Sequence, residues 1–272
     1  MIAMVGHIAR HEATAMRRNL WLVVAVGLMA LFAVVLTTSG TGGGLGVDRL
    51  TVAVASLTTL SVYLVPLIAL LISFDAVAGE RERGTLALTL AYPVPRASFL
   101  LGKFVAHMAT LAVALVVGLG LAGGLSYALG SVSEASLLSL ARLYATALLL
   151  GATFVALGYV ISTIVRQPAA AAGLAIAAWL VGIVLYDIAL LGALVADDGG
   201  TFTSAMFPWL MVANPADAFR LVNLAGIDNV VLGAGVGSLK GMLPGIVPLL
   251  ALAAWPAAAL LLAWSLFRRI EP

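Results

Sequence analysis

The 272-residue chain is 63% hydrophobic, with a mean hydropathy of +1.15 and only 10% charged residues. An ordinary soluble domain cannot hide that much apolar surface, so the solvent for most of the chain is lipid. With no cysteine, disulfides, CxxC redox chemistry and thiolate metal sites are excluded; the small basic excess, 14 Lys and Arg against 12 Asp and Glu, matters by its placement.

The opening residues, "MIAMVGHIARHEATAMRR", mix apolar positions with His7, Arg10, His11, Glu12, Arg17 and Arg18. This segment is longer than the charged start of a secretory signal and no cleavage pattern follows, which predicts an amphipathic surface helix over residues 1–19. Six apolar runs come next: Leu20 to Leu36, Leu50 to Phe74, Phe104 to Tyr127, Leu143 to Val165, Pro168 to Val195 and Gly245 to Phe267. Each approaches the roughly 20 residues that cross a hydrocarbon core about 30 Å thick. The expected fold is an all-α polytopic membrane protein of six transmembrane helices, a single transmembrane domain over residues 1–272.

Lysine and arginine set the expected orientation. With both termini cytoplasmic, Arg10, Arg17, Arg18, Arg81, Arg83, Arg96, Lys103, Arg166, Arg268 and Arg269 fall inside, and only Arg49, Arg142, Arg220 and Lys240 fall outside. Residues 75–103 then form a cytoplasmic loop and residues 196–244 the one sizeable extracytoplasmic segment. In that outer segment Asn214 is placed to cap a short helix opened by Pro215.

Several chemistries are missing. No GxxxxGK[ST] phosphate loop is present, since the one Gly-Lys pair, Gly102 and Lys103, lacks the upstream glycine and precedes Phe104. There is no HExxH and no GxSxG. His7, His11 and His107 are too scattered for a metal centre, and Met206, Met211 and Met242 are too irregularly spaced for a thioether site, so no metal site is expected. An intramembrane protease lacks the histidines that Glu80 and Glu82 would need. Tyr159, Ser162 and Thr163 are taken as helix-packing groups, His107 as an interfacial residue and Asp187 as a solvated acid near the outer boundary.

The loop "SFDAVAGERERGTLALTLAYPVPRASFLLGK" is the exception to this apolar chain. Ser73 or Asp75 can cap its first part, Pro93 and Pro95 break it, and "RASFLLGK" leads into the third run. Glu80, Arg81, Glu82 and Arg83 sit between Gly79 and Gly84. They form either a solvated turn or a docking element; charges balanced in sign on a short stiff bracket suit a polar groove on another protein.

An acid, a Glu-Arg-Glu cluster, Gly-Thr, a leucine run, Pro, Arg and a closing Gly-Lys together resemble the cytoplasmic loop of ABC-2 type transporter permeases. Asp75, Glu80, Arg81, Glu82, Gly84, Thr85, Leu86, Pro93, Arg96, Gly102 and Lys103 carry the likeness. It implies a homodimeric permease in the cell (inner) membrane, without cofactors or ATPase motifs of its own, whose loop seats in a cytoplasmic ABC ATPase dimer that binds ATP and Mg. Partners expected on that basis are this ATPase, a second copy of the chain and membrane lipid, and no nucleic acid.

A second stretch, "NPADAFRLVNL", with Asn214, Pro215, Asp217, Arg220 and Asn223, is similar to permeases of nitrous oxide reductase maturation systems. That narrower likeness implies a cargo for copper-sulfur cluster assembly, and a periplasmic partner received where the outer segment covers the pathway exit. An ABC-2 exporter of a drug, lipid or glycan shares the first motif and stays open as an alternative, as does a membrane scaffold or receptor without transport.

Overall fold

The computed structural model describes residues 6, 8–10, 12, 20–39, 48–91, 95–129, 132–197, 199–224 and 244–270. Among these residues every regular element is helical. Helix α1 (Leu20–Ser39) precedes α2 (Arg49–Ser73), the short α3 (Ala78–Glu82) and α4 (Thr85–Ala91), and the long α5 (Arg96–Ala128) and α6 (Glu134–Ile164). Then come α7 (Pro168–Asp197), α8 (Phe202–Ala213), α9 (Pro215–Leu224) and α10 (Val247–Phe267). Widened π turns interrupt α7 at Leu180–Leu185 and open α8 at Phe202–Met206.

Among the described residues five helices are long and apolar enough to cross a membrane, counting α2, α5, α6, α7 and α10. The first expected span coincides with α1, whose described side chains form an apolar stretch, Val26–Thr38, shorter than a span. The expected surface helix lies almost wholly outside the described residues, although residues 8–10 are helical. Pro93 also falls outside them.

The bundle is built around α2 and α6, which pack on each other along their length; α1 packs on α2 and α5, α5 and α7 each on both central helices, and α10 on α6. The central helices bury most of their apolar surface, whereas α7 and α10 bury under a fifth of theirs and present Leu180, Val181, Ile188, Leu191 and Leu261 outward. Such faces are stable only against lipid or another protein.

Two local devices fix the central pair. At one end the Asp48 carboxylate accepts from the Thr51 N–H (2.7 Å) and from the Ser133 N–H (3.0 Å), so a single side chain closes the start of α2 and ties it to the cap of α6. Along the helices, Gly158 faces Ser73 and Gly151 faces Leu111, allowing close approach.

The outer segment does more than cover the bundle. From the end of α7 the chain turns back, and α8 runs antiparallel along α7: Phe207 packs with Leu190 and Leu194, the Tyr186 hydroxyl donates to the Leu210 carbonyl (2.7 Å), and the Asn214 amide donates to the Gly182 carbonyl (2.8 Å). Helix α9 then retraces the path outward against α2, α6 and α10. Residues 202–224 are thus a re-entrant helical hairpin with Asn214 at its tip.

Ala in place of Gly158 puts a Cβ over the Ser73 hydroxyl and within 3.0 Å of the Ser73 Cβ, on a side chain already committed to its own helix. Ala in place of Gly151 meets the movable end of Leu111. Gly158→Ala is therefore expected to destabilise the purified protein by about 1–3 kcal/mol and Gly151→Ala by less, as measured by equilibrium unfolding in detergent; equal costs would refute the helix contact at Gly158.

Candidate functional site

Two polar clusters stand out, one at each end of the bundle. The first surrounds the loop between α2 and α5. When α2 ends at Ser73 the chain makes a tight turn and restarts as α3, whose first N–H groups have no partner within their own helix. The expected local caps do not supply one: the Ser73 hydroxyl donates back to the Ala69 carbonyl of its own helix (2.6 Å). Instead Ser162, fully buried on α6, accepts from the N–H of both Val77 and Ala78 (2.9 Å each). Asp75 contributes through its backbone, its carbonyl accepting the Gly79 N–H (2.8 Å).

The four-residue charge run is divided by this seating. Glu80 turns inward, where its carboxylate binds Lys103 (3.2 Å) and accepts from the Thr85 hydroxyl. Lys103 also pairs with Glu12 at 2.7 Å, and its Nζ lies 5.4 Å from the centre of the Phe99 ring. Arg81 is partly covered, while Glu82 and Arg83 are exposed. Gly79 is buried beneath the Arg83 guanidinium, which a Cβ there would crowd at 3.2 Å. Gly84 ends α3 with a φ of 71°, the left-handed conformation glycine adopts without strain. Leu86 plugs α4 into the core.

Arg96, expected in the coupling set, faces elsewhere: its guanidinium donates to the Arg268 carbonyl (2.6 Å) and closes the end of α10, beside a parallel stack of Phe99 on Phe267. One turn beyond Lys103, His107 is not interfacial. It is buried and shares a 2.5 Å hydrogen bond with Tyr159 of α6. The loop is therefore fastened to α5 through Lys103 and to α6 through Ser162, and it leaves Glu82 and Arg83 as its outward charges.

The second cluster gathers the residues of "NPADAFRLVNL". Asn214 caps α9 as expected, its side-chain oxygen accepting the Ala216 N–H (2.9 Å). Arg220 binds Asp217 on its own helix (2.6 Å) and Asp187 on α7 (2.9 Å). Asn223 donates to the Thr146 hydroxyl of α6 (2.9 Å), and Arg142 reaches the Asn223 carbonyl (3.3 Å). Pro215, Asp217 and Asn223 are buried in the bundle rather than presented to a partner, and Asp187 is an ion-pair member rather than a solvated acid. Burial pushes the Asp217 carboxyl up to about 7, against the pull of Arg220 and with the help of Asp187.

A cavity of about 400 Å³ lies beneath the hairpin tip, walled by Leu70, Phe154, Val160, Ala178, Asn214, Pro215 and Trp255 among others. Its polar wall groups are already engaged: Asn214 with Gly182, Tyr186 with Leu210, and the Trp255 indole with the Ala213 carbonyl (3.0 Å). Among the described residues no group of His, Asp or Glu is arranged to hold a metal ion.

Removing the Ser162 hydroxyl strands two buried N–H groups. Ser162→Ala is expected to cost about 1–3 kcal/mol and to speed hydrogen exchange of the amides of residues 77–83, with α6 otherwise intact; unchanged exchange there would show that the seat does not depend on Ser162.

Residues 7–271 match the ABC-2 family transporter proteins. The chain is 42% identical, over 271 residues, to the "Probable ABC transporter permease protein NosY" of Pseudomonas aeruginosa, covering 97% of this chain and 98% of that protein. It is 40% identical over the same length, with the same coverage, to the protein of that name from Stutzerimonas stutzeri. A six-run apolar chain without a phosphate loop, with a polar bracket fastened across its central helices and a match along nearly its whole length, belongs to the ABC-2 family of transporter proteins.

Proposed function

We infer that this chain is the membrane subunit of an ABC transporter whose ATP hydrolysis resides in a separate cytoplasmic ATPase dimer, holding ATP and Mg. Two copies of the chain form the permease in the cell (inner) membrane, each with six spans and both termini cytoplasmic. The observation that carries this reading is the seating of α3: a short bracket with Glu82 and Arg83 outward, bonded through Ser162 and Lys103 to α6 and α5, and continuous with α2. A push on that bracket is delivered to three helices at once. Closure of the ATPase pair on ATP then moves α2, α5 and α6 relative to α7 and α10, changing access between the two sides of the membrane.

The NosY relatives and the "NPADAFRLVNL" stretch support the narrower assignment, in which the cargo serves copper-sulfur cluster assembly of nitrous oxide reductase and passes to a periplasmic partner at the outer end of the hairpin. In this reading Asn214, Pro215, Asp217, Arg220 and Asn223 hold the hairpin that closes the pathway exit. Asp75, Gly79, Glu80, Gly84 and Thr85 shape the bracket, Arg96 ties the start of α5 to the end of α10, and Arg81, Glu82 and Arg83 meet the ATPase.

The test is co-purification with the candidate ATPase and measurement of ATP turnover for wild type and the double reversal Glu82→Arg with Arg83→Glu. Both residues are exposed, so the fold is retained, and opposed charges in a polar groove are expected to weaken the complex on the order of tenfold or more. An unaltered complex with unaltered turnover would leave the bracket a solvated turn.

A further inference from the structure

The polar cluster on the hairpin has a charge imbalance that its ion pairs do not resolve. Arg220 is the one cation facing two carboxylates, Asp187 of α7 and Asp217 of α9. Asp217 is 1% exposed, and its second oxygen, Oδ2, has no hydrogen-bond donor. Both carboxylates bind the same guanidinium, Asp217 at 2.6 Å and Asp187 at 2.9 Å, so they are held side by side. Ionised carboxylates only accept, so two of them attract each other only when one carries a proton. Among the described residues, Tyr186 of α7 and Tyr63 of α2 face the cluster, α8 adds Phe207 and Met211, and Arg142 of α6 donates to the Asn223 carbonyl rather than to either carboxylate.

A cavity of about 210 Å³ adjoins the cluster, lined by Asp187, Leu191, Phe207, Met211, Asp217 and Arg220. Its remaining walls are apolar, so an excess negative charge there is poorly solvated.

We propose that the buried Asp217 carboxyl binds a proton beside the Asp187 carboxylate, making the pair with Arg220 a proton-binding latch that holds the α8–α9 hairpin against α7. With the proton bound, the three groups sum to zero charge and Asp217 Oδ2 has its missing partner. Without it, two like charges compete for one guanidinium in a nearly dry site and the hairpin loosens. The sign follows from Asp217: its carboxyl holds the proton more tightly folded than unfolded. Docking is strongest at low pH and weakens as the pH rises toward about 7. The latch depends on neither the cargo nor the ATPase assignment.

The experiment uses the full chain in lipid nanodiscs. Infrared spectra report the carbonyl band of a protonated carboxyl group, and hydrogen exchange of residues 215–224 reports docking, at about pH 6 and about pH 8.5 and corrected for intrinsic exchange rates. Wild type is expected to show the band at the lower pH only, with amide protection falling on the order of tenfold at the higher pH. Asp217→Asn, which supplies the missing donor permanently, is expected to lack the band and keep its protection at both values. Asp187→Asn is expected to do the same.

Three results would overturn the latch. Wild-type protection flat across the two pH values removes the proton from the interface. Weaker protection in Asp217→Asn at both pH values marks Asp217 as an ordinary ionised partner of Arg220. Protection that follows sodium or potassium concentration instead of pH assigns the missing charge to a metal cation.

Discussion

The Ser162 hydroxyl accepts two backbone N–H groups from a loop 85 residues away in sequence. The constraint behind it governs the whole molecule. In a bundle of apolar helices, a backbone donor that loses its helical partner finds no water and must be met by a specific acceptor. At several places where the chain leaves regular helix, a polar side chain meets the freed backbone: Ser162 under α3, Asp48 across the starts of α2 and α6, Arg96 over the end of α10, Asn214 between α9 and the π turn of α7. A widened helical turn leaves carbonyls less fully used by their own helix, and the Gly182 carbonyl in that turn is the one Asn214 reaches.

The same arithmetic recurs at the two ends of the bundle with different solvation. At each end one cation meets two acids: Lys103 with Glu12 and Glu80, Arg220 with Asp187 and Asp217. Glu12 and Glu80 keep 18% and 19% of their side chains exposed, so water can share the extra charge beside Lys103. Asp217 keeps 1%. Asp187 beside it keeps 26%, so the dry group is Asp217 alone; a carboxyl that dry does not hold an unpaired charge, and the proton latch follows from its burial.

Five of the six expected spans were legible because their signal is one-dimensional: a run of about 20 apolar residues has few other uses. Loop, caps and hairpin differ in kind. The stiff bracket could be read from Gly79, Gly84 and the prolines, and Asn214 before Pro215 announced α9. Ser162 could not be found, because a serine in an apolar helix looks the same whether it packs or accepts from a distant loop. The hairpin left a readable trace that pointed the wrong way. Asn214, Asp217, Arg220 and Asn223 recur every third residue, one stripe along a helix. In an apolar chain a polar stripe suggests a water-facing surface. Here it faces inward because each member has a buried partner, and Asp187, the acid within the apolar run of α7, was the complementary charge that could have revealed it.

The hairpin also constrains what can move through the bundle. Its tip ends on the cavity beneath Asn214 and Pro215, and the polar atoms on that wall are already bonded to one another. A cargo with polar surface gains no hydrogen bond there and loses its hydration on entering. On the proposed pathway, passage of such a cargo would open the Asn214–Gly182 and Tyr186–Leu210 bonds and displace the hairpin from α7. Among the described residues, the contacts that join the hairpin to α7 itself are two side-chain bonds, an apolar patch around Phe207 and Met211, and the Arg220 cluster. Because the cluster alone among them changes charge with a single proton, it is the contact at which hairpin position is most readily set.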